Sequence, residues 1–465
     1  MTSMKIIRKI LLGLCVATLL VGGISVGSRA LPISYRQELC KKLVSKKSVA
    51  RCLALPTPEW AQKQLDADFR DFEGRKVTAA AVAELYREIR AKIGQQILHY
   101  RILDNQLYKY IPNGAEYSSV DTRFERAFKT LLQYTNVPDL DFLLCPMDGI
   151  PEPYVPQDFF LSSTAEGQVP LLGQAKRKEP ASQYIVLIPD QFSLTESWWQ
   201  DIKEVERDND LVSWDQKKES ALWRGNLTDV GVPGDYSPHL RDCPRFKISE
   251  LSVQHPKLVN AGISSAESPE TITILSHSHV IRGPASKRDH IRHKYLPVLD
   301  GHMCTYPGYQ WRLLSNSVAF KQESDQIQWF YGGLEPYQHY VPIRNDLSDL
   351  LSQIDWAKAH DEEAQEISAR AQEFVQHNLL PCHIYAYLHR VLSKYATFQE
   401  IDFQALKKAT RQDPKWECIQ YRKRNHLMRT IRKLMQFGRP LAGEVFYPGF
   451  SNQTVQCKAA LQGFL

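Results

Sequence analysis

The residues from Lys294 to Arg344, KYLPVLDGHMCTYPGYQWRLLSNSVAFKQESDQIQWFYGGLEPYQHYVPIR, constrain the fold more than any other stretch. Tyr295 to Leu299 is an apolar run closed by Asp300-Gly301, a turn signal. After a loop, Tyr309 to Leu314 has room for a short helix. Asn316 is expected to end it, because Asn tolerates the left-handed conformation beyond a helix end. Val318-Ala319-Phe320 reads as a second buried strand. Strand, helix and strand in so short a span imply parallel pairing with a right-handed crossover. Ligands of such sheets sit beyond the carboxyl ends of the strands. Gly301 to Arg312 therefore falls at the mouth of a site, with a helix N-terminus and the Arg312 guanidinium available to an anion. The same pattern also fits a buried strand–helix–strand unit that binds nothing.

At 465 residues the chain has room for two domains. A net charge of +6 fits an anionic ligand or a membrane surface and is too small to argue for nucleic acid. Residues 1–30 stand apart: Lys5, Arg8 and Lys9 precede an apolar run from Ile10 to about Val26, followed by small residues. This describes a signal peptide or signal anchor, and places the remainder in a secretory lumen or periplasm, or on a membrane through that anchor. Beyond Cys15 the cysteines are Cys40, Cys52, Cys145, Cys243, Cys304, Cys382, Cys418 and Cys457. An even number behind an export signal is compatible with disulfides, and the short intervening loop makes Cys40–Cys52 the first pair to expect. Free buried thiols fit Cys145 and Cys304 equally well. No CxxC pair occurs, and His277, His279, His290 and His293 lack partners at ligand spacing, so no metal site is expected.

Residues 31–135 have a mostly helical pattern, with Ile89, Ile93 and Ile97 at four-residue intervals on one face. Asp141 to Cys145 is strand-like and leads into Pro146-Met147-Asp148-Gly149-Ile150-Pro151. A carboxylate on a Pro/Gly-bounded loop past a strand end is where α/β enzymes keep catalytic groups, though a loop Asp is also a common turn residue. Tyr184 to Pro189 suits a fully buried strand, and Trp198-Trp199 follows it. In the segment Trp214 to Thr228, Arg224 beside Gly225 can approach a diphosphate, because glycine clears the backbone and arginine forks onto phosphate oxygens. The DxD triplets Asp66-Ala67-Asp68, Asp139-Leu140-Asp141 and Asp208-Asn209-Asp210 lie in no position that suggests metal binding.

The strings KYLPVLDG, RLLSNSVAFKQ and WFYGGLEPYQHYVPIRNDLSDL, with VPDLDFLLCPMDGIP earlier, resemble glycosyltransferase family 90. That group includes lipopolysaccharide-modifying, capsule-associated and protein O-glucosyltransferase enzymes. The resemblance runs from about Pro138 to Phe398. It implies an α/β protein of GT-B type, with two Rossmann-like domains facing across a cleft. The implied division is 31–135 helical, 136–210 acceptor-side domain, 211–375 nucleotide-sugar domain, and 376–465 closing helices and basic tail. It implies an inverting, metal-independent transfer of a hexose or pentose, glucose or xylose foremost, from a UDP-sugar to a hydroxyl of a protein, lipopolysaccharide or polysaccharide. Asp148 matches the general base. Ser220, Arg224, Gly225 and Asn226 match the middle segment, and Gly301, His302, Met303, Cys304, Thr305, Tyr306 and Pro307 match the nucleotide loop. The family's usual Arg-Phe-Lys in that loop is absent, and Arg312 is the candidate for the missing charge.

Arg422 to Leu434 reads as a basic amphipathic helix, fit either for an anionic membrane face or for a solvated surface. The competing functional class is a non-catalytic carbohydrate- or nucleotide-binding protein, or a membrane-docked scaffold, that keeps the fold. The altered loop at Pro307-Gly308 favours it.

Overall fold

The structure is a computed structural model that describes residues 45–93, 97–112, 119–148, 169–178, 184–228, 240–265 and 269–419. The expected leader (1–30), Cys40 and the basic stretch 422–434 lie outside these residues. Among the described residues no helix is long and apolar enough to cross a membrane.

Two sheets organise the chain. The first is built from β1 (Leu98–Leu103), β2 (Gln106–Tyr110), β3 (Leu140–Cys145), β4 (Leu171–Gly173) and β6 (Ile185–Leu187). A late strand, β13 (Trp416–Cys418), completes the order β13-β2-β1-β3-β4-β6. β5 (Lys176–Arg177) branches off to pair elsewhere. β1 and β2 form a hairpin turned by Asp104 and Asn105, both at positive φ (51° and 58°), the geometry of the favoured two-residue hairpin turns. This hairpin corrects the helical expectation for 31–135. The helix Ala79–Ile93 stops before Ile97, and Leu98 begins a strand whose six side chains are all buried. A border at residue 136 would cut the hairpin from its own sheet.

β3, β4 and β6 run parallel, in register at Cys145, Gly173 and Leu187. Their carboxyl ends are level, so the residues that follow them emerge along one edge: Asp148 after β3, Gln174 after β4 and Asp190 after β6.

The second sheet is parallel. It contains β7 (Lys218–Asn226), β8 (Val259–Ser265), β9 (His293–Val298), β10 (Val318–Glu323) and β12 (Val341–Arg344), in the order β12-β10-β9-β7-β8. Val318 pairs with Tyr295 and Phe320 with Pro297, as parallel pairing across a short crossover requires. Beginning at β7, the chain lays β8 on one side and β9, β10 and β12 on the other. The switch point, where such sheets bind ligands, is therefore the crevice between the carboxyl ends of β7 and β9. The core beneath holds Trp223, Tyr295 and Phe320 with Ile354 and Ile367 of the helices Leu350–Ala359 and Asp361–Asn378. Each such side chain contributes roughly 1.5–3 kcal/mol by leaving water.

The crossover helix is Gly308–Leu314. It ends at Ser315 in extended conformation, and the Asn316 side chain donates to the Val212 carbonyl (2.8 Å). Asn316 therefore stops the helix by reaching sideways, without the left-handed turn that was expected.

Two devices tie the sheets together. β5 pairs antiparallel with β11 (Gln326–Ile327). The helix Pro381–Thr397 crosses to the first sheet, where Tyr385 Oη donates to the Leu194 carbonyl (3.0 Å) and Tyr395 Oη to that of Pro170 (2.9 Å). Trp198 is fully buried and donates to the Leu379 carbonyl (2.7 Å), which makes it core.

Candidate active site

Asp148 follows β3 by three residues and is half-buried. Its loop is held by Gln174, whose Nε2 donates to the carbonyls of Met147 (2.8 Å) and Pro146 (3.3 Å). Gln174 Oε1 in turn accepts from the Gln191 amide (3.1 Å). Burial pushes the Asp148 carboxyl above the ordinary range, and the nearby charge of His302 pulls it back. A raised carboxyl titrates closer to neutrality, where a general base works best.

The loop after β9 meets Asp148 from the second sheet. Tyr306 Oη donates to the Asp148 carbonyl. Met303 and Cys304 pack with Ala175, which follows β4 of the first sheet, and this seats the loop there. Burial lifts the Cys304 thiol well above its usual value and the Cys145 thiol to about 12, so neither is a nucleophile. Thr305 Oγ1 donates to the Leu299 carbonyl (2.6 Å) and closes the loop on itself. Asp300 anchors its start through Lys321 (3.4 Å) and Ser324. A second strut lies beside it. Ser193 Oγ bonds the buried Asp190 and lies 2.8 Å from Gln310 Oε1 on the crossover helix, and burial raises the Asp190 carboxyl.

The switch-point crevice is occupied by a residue the sequence reading passed over. Arg245, second in the helix Pro244–Gln254, donates to the carbonyls of Asn226 (2.7 Å), Asp300 (2.9 Å) and Leu299 (3.1 Å) and to Thr228 Oγ1 (2.6 Å). A Cβ at Gly301 would stand 2.8 Å from both Arg245 Nη2 and Thr228 Oγ1, so a side chain there would push one of them aside. The available signal was a Pro-Arg pair at a helix start, which is weak by itself.

Arg312 lies on the inner side of the crossover helix, only 5% exposed. Its Nη1 donates to the Gly308 carbonyl (2.9 Å), its guanidinium lies 4.3 Å from the Trp311 ring centroid, and its Nε has no partner. Among the described residues no carboxylate pairs with it, and burial together with Arg245 pulls its pKa down to about 9. At seven residues the helix is too short to supply an anion site at its N-terminus.

The structure separates other candidates from this centre. Ser220 lies six residues before the end of β7, roughly 20 Å along the strand, and is bound to His293 Nδ1 (2.9 Å). Arg224 turns toward β8. Its donors go to Asn260 O (2.8 Å), Asn260 Oδ1 (2.7 Å), Trp223 O and Gly283 O, which makes it a staple between strands. Gly225 admits the Trp223 ring, 2.7 Å from where a Cβ would sit, and Asn226 reaches the crevice through its carbonyl. Beyond Tyr309 a cavity of about 350 Å³ is lined by Tyr309, Tyr331, Tyr340, Lys321, Glu323 and Gln326, among others.

A family model, glycosyl transferase family 90, matches residues 58–440. The chain belongs to glycosyltransferase family 90. Among the relatives of this family-90 chain is protein O-glucosyltransferase 3 of Homo sapiens, 27% identical over 374 residues, which are 78% of this chain and 66% of that protein. Protein O-glucosyltransferase 2 of Danio rerio is 26% identical over 313 residues (65% of this chain, 56% of that protein). Protein O-glucosyltransferase 1 of Homo sapiens is 25% identical over 343 residues (72% and 79%). The chain spans 56–66% of the length of the first relatives it matches. A crystal structure of a glycosyltransferase from Rickettsia africae aligns with a TM-score of 0.30 at 10% identity, over 53% of this chain and 68% of that one. That likeness is too slight to carry fold or function.

Proposed function

We propose that this family-90 chain is an inverting glycosyltransferase that moves a sugar from a UDP-sugar to an acceptor hydroxyl, its two sheets being the halves of a GT-B arrangement. Asp148 takes the acceptor's proton as the acceptor oxygen attacks the anomeric carbon. The bond from that carbon to the diphosphate oxygen breaks, and UDP leaves. Arg312 meets the charge that develops on the diphosphate, while Arg245, its donors committed to three carbonyls and Thr228 Oγ1, holds the crevice in shape. The relatives' names favour a protein hydroxyl as acceptor and glucose as the sugar, and the export-signal pattern of residues 1–30 favours a secretory compartment.

One observation carries this reading: the loop whose start is bonded by Arg245, and which leads into the helix bearing Arg312, touches the backbone of the candidate base through Tyr306. Donor chemistry and proton acceptor are thereby joined by a few residues of chain. Calorimetry with UDP tests it. Binding in the micromolar range that weakens in Arg312→Ala supports the proposal, and no binding at millimolar UDP overturns it.

A further inference from the structure

The helix Lys46–Ala54, first of the described elements, packs against the helix Pro381–Thr397. Where they touch, Cys52 Sγ lies 2.7 Å from Cys382 Sγ, across 330 positions of sequence. His383 follows immediately, and its Nδ1 is buried without a partner. Arg390, two turns along the same helix, donates to the carbonyls of Cys52 (3.2 Å) and Leu55 (2.9 Å). The two thiols and the imidazole offer three metal-ligand atoms within 4.8 Å of one another. Two thiolates on one zinc at ~2.3 Å stand about 3.8 Å apart in a tetrahedron, so these sulfurs would have to separate to share an ion. They need only close further to bond to each other.

We propose that Cys52 and Cys382 form a disulfide that fastens the N-terminal helix to the helix joining the two sheets. Cys52 is the attacking sulfur. It is buried, and the Cys382 thiol, His383 and Arg390 all favour its thiolate. The co-reactant is a small or protein disulfide, with oxidised glutathione as the simplest case. The Cys52 thiolate attacks one glutathione sulfur and expels the other glutathione as thiolate. Cys382 then loses its proton to water and attacks the Cys52 sulfur, releasing the second glutathione. Two protein thiols are oxidised and one glutathione disulfide is reduced.

The bond would brace the helix that leads directly into one supporting the site edge. The next helix, Glu59–Phe69, places Asp68 against Lys176 of β5 (2.7 Å) and the Leu187 amide of β6 (2.9 Å). The expected Cys40–Cys52 pair would compete for the same sulfur.

The test is peptide mapping without reduction of the full chain, equilibrated with a reduced and oxidised glutathione buffer and alkylated. The expected result is one linked peptide pair containing Cys52 and Cys382. Its reduction should lower the melting temperature of the natural chain and leave that of Cys382→Ala unchanged. Alkylation of both cysteines after oxidation, a Cys40–Cys52 peptide, or stoichiometric zinc with both thiols free would each overturn the proposal.

Discussion

Tyr306, on the loop after β9, donates its phenol proton to the backbone carbonyl of Asp148 at the end of β3. The contact crosses from one sheet to the other and fixes the candidate base relative to the candidate donor loop. It also leaves the Asp148 carboxylate itself unoccupied by the phenol.

Tyr306→Phe should therefore lower kcat/KM more than it lowers stability. Loss of one hydrogen bond of roughly 0.5–1.5 kcal/mol, on a loop whose position sets the reacting geometry, predicts a fall of about tenfold. Steady-state kinetics alongside thermal unfolding separates the two effects. An unchanged kcat/KM would show that the contact does not position the base.

The acid limb of the rate profile should reflect Asp148. Burial raises this carboxyl, so activity should rise with pH through a midpoint above the ordinary aspartate range. His302 opposes the shift, and removing its positive charge takes away stabilisation of the carboxylate. In His302→Ala the limb should move to higher pH. A limb that stays in place would separate His302 from the base.

Gly308 and Arg312 should behave as a pair. A Cβ on residue 308 would stand 2.8 Å from Arg312 Nη1, so Gly308→Ala displaces the guanidinium that would serve the diphosphate. Arg312→Ala should weaken UDP binding about 10- to 100-fold, the equivalent of a charged hydrogen bond. Gly308→Ala should weaken it in the same direction, and the double variant little further than Arg312→Ala alone. Additive losses, measured by calorimetry, would separate the two positions.

The strand–helix–strand of the second sheet was legible in the sequence because its apolar runs are bounded by turn residues at strand and helix lengths. The β1–β2 hairpin was not. His99 and Arg101 put two polar residues into β1, both buried on Asp141 at 2.6 Å and 3.2 Å, and a buried polar pair conceals the sheet pattern. Asp148 was singled out by the resemblance, because a strand end and a proline alone also fit a turn residue. That Arg224 bonds Asn260 of β8 was not legible, because an arginine beside a glycine says nothing about which neighbouring strand it will reach. Arg245 was missed because its partners are backbone carbonyls that only the folded sheet assembles.

Acid should unfold the protein partly through His290. Burial, with Arg312 close by, lowers this imidazole from 6.5 to about 3. Its folded pKa is depressed, so the neutral form's contribution is complete above pH 6.5 and is lost as pH falls toward 3. Chemical denaturation at pH 7 and pH 4.5 should show a larger stability loss in the natural chain than in His290→Gln. Equal losses would assign acid sensitivity elsewhere.

The most direct measurement is UDP release from a panel of UDP-sugars, without acceptor, by the natural chain and by Asp148→Asn. Turnover of one sugar by the natural chain, with a fall of about 10²- to 10⁴-fold in the variant while UDP still binds, is the predicted result. Equal turnover by both would contradict the assignment of Asp148. Absence of both release and UDP binding would contradict the transferase reading itself.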